Sequence, residues 1–338
     1  MKNQLLLDAT FTRVADFSQR ILAPALVICW AFTSEIPSVC AEQPSESSQD
    51  TSDKSPGNDA DRGKQVRVER NLRFSDQDGK AGLCDVYLPA VEPQEQGYPV
   101  VVVVHGGGWI SGDKWTLETY SKLLAERGIA AVTINYRLAP DHKFPAQVDD
   151  VRSALIWAKQ NAQRFQLNPE CLGIFGYSAG GHLSTLVASL ADESAEVQAA
   201  ASDWSSHDEK WKQLPNIRAV CAGGPPCDFR SLPIDNSALA YFLGGSRREC
   251  PEIYVSASPA AHVSPADPVT QIIHGDSDLL VPLKGSQQFH EAQVAAGIDS
   301  RLEVMANQGH MVTFLNPETC NKVVDFFHEV FESNPTDK

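Results

Sequence analysis

The sequence predicts an α/β protein with a mostly parallel central sheet and helices on both faces of that sheet. Short apolar segments rich in β-branched residues recur along the chain, and segments with helical spacing of apolar residues lie between them. The five consecutive valines at positions 100–104 are typical of a strand buried on both faces. Strands that alternate with helices in this way pair in parallel, and the helices cover both faces.

The strands and helices are predicted in the following order. The first two strands show partial alternation and are predicted at the edge of the sheet, and a long helix begins at Pro145, with apolar residues at helical spacing from Val148 to Ala158. The predicted strands are 66–74, 83–88, 99–105, 129–136, 172–177, 217–222, 269–274 and 300–304. The other predicted helices are 117–127, 179–191, 286–296 and 317–332. Two long polar stretches, 192–215 and 228–265, interrupt the alternation, and each is a candidate for a lid-like insertion.

The charge of the chain bears on its partners. The 338 residues carry a formal net charge of −15. Nucleic acids and anionic membrane surfaces both require clustered Lys and Arg, so this balance argues against either as a partner.

The first 41 residues have the features of a signal peptide. Basic residues precede an apolar run at 21–32, and Val39 and Ala41 have the spacing of a signal-peptidase site. The run is too short to span a bilayer as a helix, so we expect an exported protein, periplasmic or secreted, with no stable membrane span after cleavage. An uncleaved anchor, a wrong start codon or a lipoprotein anchor at Cys40 are the alternatives.

The folded part is predicted to begin after a spacer. Residues 42–64 are almost all polar and cannot bury enough apolar surface to offset the entropy of ordering, so they are predicted to be a disordered linker. A single domain is then expected over 65–334. Six cysteines follow position 41, which permits disulfides in an exported protein, with Cys221 and Cys227 as the closest local pair.

A candidate nucleophile lies between a predicted strand and a predicted helix. The segment Gly-Tyr-Ser-Ala-Gly-Gly at 176–181 has the pattern of a nucleophile elbow, in which Ser178 occupies a tight strained turn flanked by glycines. The hydroxyl of Ser178 is then exposed at a helix N-terminus, where the helix dipole favours developing negative charge.

A second glycine tract ends the valine strand. Its sequence is His-Gly-Gly-Gly-Trp at 105–109, and the bare backbone N–H groups of such a loop can approach a substrate oxyanion closely. Together with the N–H of Ala179, just after the nucleophile, the loop is predicted to form an oxyanion hole.

A serine nucleophile needs a base, and the base needs an acid that orients it. Asp276 and Asp278 both follow a predicted strand, so their carboxylates are expected at the same sheet edge as Ser178. Asp278 is the preferred acid and Asp276 the alternative. His310 follows the next strand in a turn and is the predicted base.

These motifs together resemble a known family. His-Gly-Gly-Gly-Trp (105–109), Tyr-Arg-Leu-Ala-Pro (136–140), Gly-Tyr-Ser-Ala-Gly-Gly-His (176–182) and His-Gly-Asp-Ser-Asp-Leu-Leu-Val-Pro (274–282) look like those of hormone-sensitive-lipase-like esterases. They are more similar still to the bacterial feruloyl-esterase-like hydrolases. The resemblance covers about residues 66–331. It implies the α/β-hydrolase fold and a carboxylic ester hydrolase. The implied site residues are nucleophile Ser178, acid Asp278, base His310 and oxyanion donors Gly107, Gly108 and Ala179.

Other residues near these motifs are predicted to bind substrate, to pack or to hold the site in place. Trp109 and Tyr177 are predicted to contact the substrate, although Trp109 and Trp115 are equally suited to packing beneath a lid. His105 is predicted to fix the glycine loop by hydrogen bonding, and His182 to be a buried histidine whose hydrogen bonds are satisfied.

The predicted reaction is two-step acyl transfer through an acyl-enzyme, with no cofactor and no metal. The expected substrates are small or polysaccharide-linked carboxylic esters of the acetyl or feruloyl type, the substrate class being inferred by analogy. A peptidase or arylformamidase on the same scaffold is an alternative, because the triad does not distinguish esters from amides. A non-catalytic binding module is a second alternative, made less favourable by the complete triad.

Overall fold

The computed structural model of the chain describes residues 65–333. The predicted signal peptide (1–41), the predicted linker (42–64) and the last residue of the predicted domain lie outside the described residues. Within them, no helix is long and apolar enough to cross a membrane.

Within residues 65–333 the strands form one eight-stranded sheet in the order β1-β2-β4-β3-β5-β6-β7-β8. The strands are β1 Arg67–Arg73, β2 Leu83–Leu88, β3 Tyr98–Val104, β4 Ala130–Ile134, β5 Leu167–Tyr177, β6 Ala219–Gly223, β7 Val269–Gly275 and β8 Ser300–Met305. Pairing is antiparallel between β1 and β2 and between β2 and β4, and parallel in every other pair. The predicted mostly parallel sheet is therefore confirmed.

Helices cover both faces of this sheet. They are α1 Glu118–Glu126, α2 Ala146–Gln160, α3 Ala162–Phe165, α4 Ala179–Ser189, α5 Ala195–Ala200, α6 Ala240–Leu243, α7 Pro251–Ser256, α8 Leu283–Ala295, α9 His310–Leu315 and α10 Pro317–Glu332. Short 3-10 segments lie at Lys114–Leu117, Glu209–Gln213 and Pro259–Ala261.

The valine run of β3 shows why the two layers form. Val100, Val102 and Val104 belong to one apolar cluster with side chains of α2 and α4, whereas Val101 and Val103 belong to a second cluster with side chains of α1 and α10. All five valines are at most 1% exposed. Burying each one contributes about 1.5–3 kcal/mol, so this strand needs a helix layer on both sides.

One expectation from the sequence is wrong, and one possibility that it left open is not realised. β2 does not lie at an edge: it pairs with both β1 and β4, and its side chains from Cys84 to Leu88 are buried. Cys221 and Cys227 do not form a disulfide, and the six cysteines of the described part are free thiols.

Candidate active site

Ser178 lies in the sharp turn between β5 and α4. Its backbone has φ +56° and ψ −120°, a strained conformation for a residue with a side chain. The Ser178 N–H donates to the carbonyl of Gly223 at 2.7 Å, and the N–H of His182 donates to the Ser178 carbonyl at 2.9 Å. A Cβ on Gly180 would lie 2.0 Å from the Val104 carbonyl oxygen, so only glycine allows α4 to start this close to β3. The strained turn places a half-buried hydroxyl at the start of an 11-residue helix.

Asp278 lies in the loop after β7, and its carboxylate is almost fully enclosed. Asp278 Oδ2 lies 2.5 Å from Nδ1 of His310 and 3.3 Å from Nε2 of His274. Asp278 Oδ1 accepts hydrogen bonds from the backbone N–H groups of Leu280 and Val281, at 2.9 and 2.8 Å. Burial opposes ionisation of this carboxyl, but the two histidines and the Val281 N–H outweigh it and hold the pKa of Asp278 well below its usual range. Asp278 is therefore a carboxylate at neutral pH.

Asp276, the alternative acid, is placed differently. Its side chain is exposed and accepts a hydrogen bond from the hydroxyl of Ser277 at 2.8 Å. Asp278, and not Asp276, is the carboxylate that the structure brings to His310.

His310 is the first residue of α9, after β8. Its Nδ1 faces Asp278, so this nitrogen carries the proton and Nε2 is the free acceptor. Nε2 forms no hydrogen bond with any described residue, Ser178 included. Contacts of this kind often tighten only when substrate binds. The ring nevertheless lies beside the elbow, because a Cβ on Gly224 would be 2.9 Å from His310 Cε1, and Gly224 directly follows the residue that binds the Ser178 N–H.

The glycine loop after β3 runs alongside the nucleophile. A Cβ on Gly106 would lie 3.3 Å from the Cβ of Ser178. Gly107 and Gly108 both have positive φ, +112° and +61°. A Cβ on Gly107 would also lie 2.1 Å from the Ser111 carbonyl oxygen, so this tight turn requires glycine. The structure thus brings Gly106 next to Ser178, and the predicted oxyanion donors Gly107 and Gly108 follow it in the same loop.

The structure shows how Trp109 and Tyr177, the two residues predicted to contact the substrate, are held in place. Their side chains are buried, with exposed fractions of 5% and 3%. The Trp109 ring stacks on Phe242 with ring centroids 4.4 Å apart, and the Tyr177 hydroxyl donates to the His310 carbonyl at 2.7 Å. Both aromatic residues lie beneath the site and pack or orient its parts, whereas Trp115 is 62% exposed.

The two other histidines have the roles expected of them. His105 Nδ1 donates to the Gly106 carbonyl at 2.7 Å, which fixes the glycine loop. His182 is fully buried: its Nδ1 accepts from the Trp109 indole N–H at 3.2 Å, and its Nε2 donates to the Ala257 carbonyl at 2.7 Å. Burial lowers the pKa of each to about 4, so both rings are neutral.

Two residues near the site were missed from the sequence. His274 bonds through Nδ1 to Ser286 Oγ and through Nε2 to the Val281 carbonyl, each at 2.8 Å, and it faces Asp278. Tyr241 donates its hydroxyl hydrogen to the Gly108 carbonyl at 3.0 Å. His274 is the first residue of the His-Gly-Asp-Ser-Asp segment, so its place near the acid could have been recognised from the sequence. Tyr241 gives no such signal, because the Gly108 carbonyl that it contacts lies 133 residues away along the chain.

The two insertions differ in what they contact. Segment 228–265 reaches the glycine loop through Tyr241 and Phe242. Segment 192–215 is hydrogen-bonded to three residues of α2. Asp149 and Arg152 lie in the first half of this helix, and Gln160 is its last residue. The two segments are joined where the Ser264 hydroxyl donates to Asp192. Among the hydrogen bonds of residues 65–333, those of segment 228–265 reach the glycine loop and those of segment 192–215 do not.

Within residues 65–333 no group of three or more His, Cys, Asp or Glu side chains could hold a metal ion.

Comparison with known proteins gives a consistent family. The BD-FAE family model matches residues 84–293. Esterase LipC of Mycobacterium tuberculosis is 30% identical over 223 residues, which is 63% of this chain and 52% of LipC. The chain thus spans about half the length of this curated relative.

Solved structures share the fold. A truncated carbohydrate esterase from gut microbiota has a TM-score of 0.69 at 24% identity, covering 81% of this chain and 99% of that one. A bifunctional GH43-CE protein of Bacteroides eggerthii has a TM-score of 0.67 at 27% identity, covering 78% of this chain and 38% of that one. The first of these likenesses shows the α/β-hydrolase fold alone.

Proposed function

The chain belongs to the BD-FAE family, and on this premise we propose that it is a serine carboxylesterase acting through an acyl-enzyme. One observation carries the proposal: the buried Asp278 carboxylate holds His310 at 2.5 Å beside a strained, half-buried Ser178. An acid, a base and a nucleophile arranged in this way perform acyl transfer, and the chain order Ser, Asp, His is that of α/β-hydrolases.

In this reaction His310 Nε2 removes the proton of the Ser178 hydroxyl as its oxygen attacks the ester carbonyl. The carbonyl oxygen becomes an oxyanion that accepts hydrogen bonds from the N–H groups of Gly107, Gly108 and Ala179. Removing one such donor costs about 3–4 kcal/mol of barrier stabilisation. His310 then protonates the leaving alcohol, and water activated by the same ring releases the acid.

For the substrate we propose small or carbohydrate-linked esters of the acetyl or feruloyl type. Support comes from two structural relatives, a carbohydrate esterase and a bifunctional GH43-CE protein. Export through the segment 1–41 fits a polymeric substrate outside the cell and remains a proposal from the sequence.

The test is hydrolysis of p-nitrophenyl acetate, butyrate and octanoate, methyl ferulate and acetylated xylan by the purified protein, beside Ser178→Ala. We expect hydrolysis of the short or feruloyl esters that disappears in the variant. Hydrolysis of an anilide but of no ester would favour the amide-hydrolase alternative. Equal inactivity of both proteins on every ester and amide would support a binding module and contradict the proposal.

A further inference from the structure

The backbone carbonyl groups of the glycine loop all accept hydrogen bonds, at every residue from 105 to 109. The donors, in order, are the Tyr136 hydroxyl (3.0 Å), His105 Nδ1 (2.7 Å), the Ile110 and Ser111 N–H groups (3.2 and 3.1 Å), the Tyr241 hydroxyl (3.0 Å) and the Ala139 N–H (2.9 Å). Since C=O and N–H share one rigid peptide plane, holding the oxygen also fixes the direction of the N–H.

Tyr241 differs from the other donors in its origin. The others lie between residues 105 and 139, either in the loop or directly after β4, whereas Tyr241 belongs to the inserted segment 228–265. Gly108, an oxyanion donor with φ +61°, lies between two peptide planes. The plane before it carries the Gly108 N–H and is held by Ile110 and Ser111. The plane after it carries the Trp109 N–H and is held by Tyr241.

The contacts of the neighbouring residue favour a stable hydrogen bond between the Tyr241 hydroxyl and the Gly108 carbonyl. The neighbouring Phe242 stacks on Trp109 with an angle of 5° between the rings, and the Phe242 carbonyl accepts from the Phe144 N–H at 2.9 Å. Burial raises the pKa of Tyr241 to about 12, so the hydroxyl keeps its proton at neutral pH and can donate it to the Gly108 carbonyl.

We propose that Tyr241 is a positioning residue of the oxyanion hole: by holding the peptide plane that follows Gly108, segment 228–265 restricts rotation about Gly108 and so steadies the preceding plane, which carries the Gly108 N–H. The inference rests on the esterase function proposed above. Tyr241 touches neither the nucleophile nor the base in this proposal. It acts only through the peptide of Gly108, so its effect belongs to the transition state, in which the oxyanion is formed.

The test is Tyr241→Phe, which keeps the ring and removes the hydroxyl. We expect kcat to fall on the order of three- to tenfold, the effect of losing one hydrogen bond, with KM changed less than about twofold. The matched control is Tyr254→Phe, because the Tyr254 hydroxyl donates to the Gly245 carbonyl at 3.1 Å within the same segment and not to the loop. The control should leave kcat within about twofold of the unmodified protein.

A second readout does not depend on activity. Backbone amides of residues 106–111 should exchange hydrogen faster in Tyr241→Phe than in the unmodified protein or in Tyr254→Phe. Unchanged exchange together with unchanged kcat would overturn the inference while leaving the esterase function intact, and so would equal losses of kcat in the two variants. If the unmodified protein hydrolyses no ester, the proposed function fails and hydrogen exchange alone decides whether Tyr241 holds the loop.

Discussion

At the residue scale, the choice between two neighbouring carboxylates shows what the sequence can and cannot decide. Asp276 and Asp278 follow the same strand and are two positions apart, so spacing alone left both possible. The structure separates them because Asp278 turns inward to His310, His274 and the backbone, whereas Asp276 faces solvent. Side-chain direction in a loop depends on contacts that sequence spacing does not contain.

Asp278→Asn tests this assignment. We expect kcat to fall by about 10³–10⁴-fold with the fold retained, because an amide neither fixes the His310 tautomer nor stabilises its charged form. Steady-state hydrolysis of a p-nitrophenyl ester measures the loss, and circular dichroism checks the fold.

The matched control is Asp276→Asn, two residues away in the same loop. It should keep kcat within about twofold of the unmodified protein, since Asp276 bonds only to Ser277 among its described side-chain contacts. A large loss in this variant and a small one in Asp278→Asn would reverse the assignment.

At the element scale, segment 192–215 shows how an insertion can be mistaken for a lid. Its length and polarity made it a candidate, but its middle and end are hydrogen-bonded to α2. Its first residue, Asp192, accepts from the Ser264 hydroxyl of the other insertion. Asp149 accepts from the Ser202 hydroxyl at 2.6 Å and from the Asp203 N–H at 2.7 Å, and Arg152 donates to the Ala201 carbonyl at 2.8 Å. Both of these side chains are buried, and Arg152 Nη1 lies 3.5 Å from Asp149 Oδ1. The polar residues of α2 therefore anchor the insertion.

Asp149→Asn separates anchoring from catalysis. The variant leaves a buried guanidinium without its carboxylate, so we expect the free energy of unfolding to fall by about 3 kcal/mol. We expect kcat and KM within about twofold of their original values, because the hydrogen bonds of Asp149 hold the segment to α2 and none of them reaches the site loops. Denaturant unfolding and ester hydrolysis measure the two effects.

The control for this variant is Glu209→Gln in the same insertion. Its partner Lys212 lies 2.8 Å away, but both side chains are more than 70% exposed, so the substitution should leave the unfolding midpoint unchanged. A severalfold change of KM in a still-folded Asp149→Asn would instead favour a lid role for the segment.

At the scale of the whole molecule, the sheet explains why so much was predictable. All eight strands of the described sheet were expected near their observed positions. The inner strands have strong apolar signatures because they are buried, whereas the antiparallel edge strand β1 was expected from its partial alternation. Parallel pairing then places the carboxyl ends of β3, β5 and β7 at one edge, which brings the glycine loop, Ser178 and Asp278 together.

What the sequence did not reveal depends on contacts between distant segments. β2 is internal because β1 adds to its outer side, and its own alternation does not contain that information. Trp109 is buried because Phe242, from a distant insertion, covers its ring. Such pairings form only once the chain has folded, so local patterns cannot predict them.

Whether Ser178 is an activated nucleophile is tested most directly by labelling with a p-nitrophenyl alkylphosphonate, followed by intact-mass analysis and peptide mapping. We expect one phosphonyl group per chain, attached to Ser178, and no label on Ser178→Ala. An unlabelled protein that still hydrolyses esters, or a label on another residue, would contradict the claim that this fold presents Ser178 as an activated nucleophile.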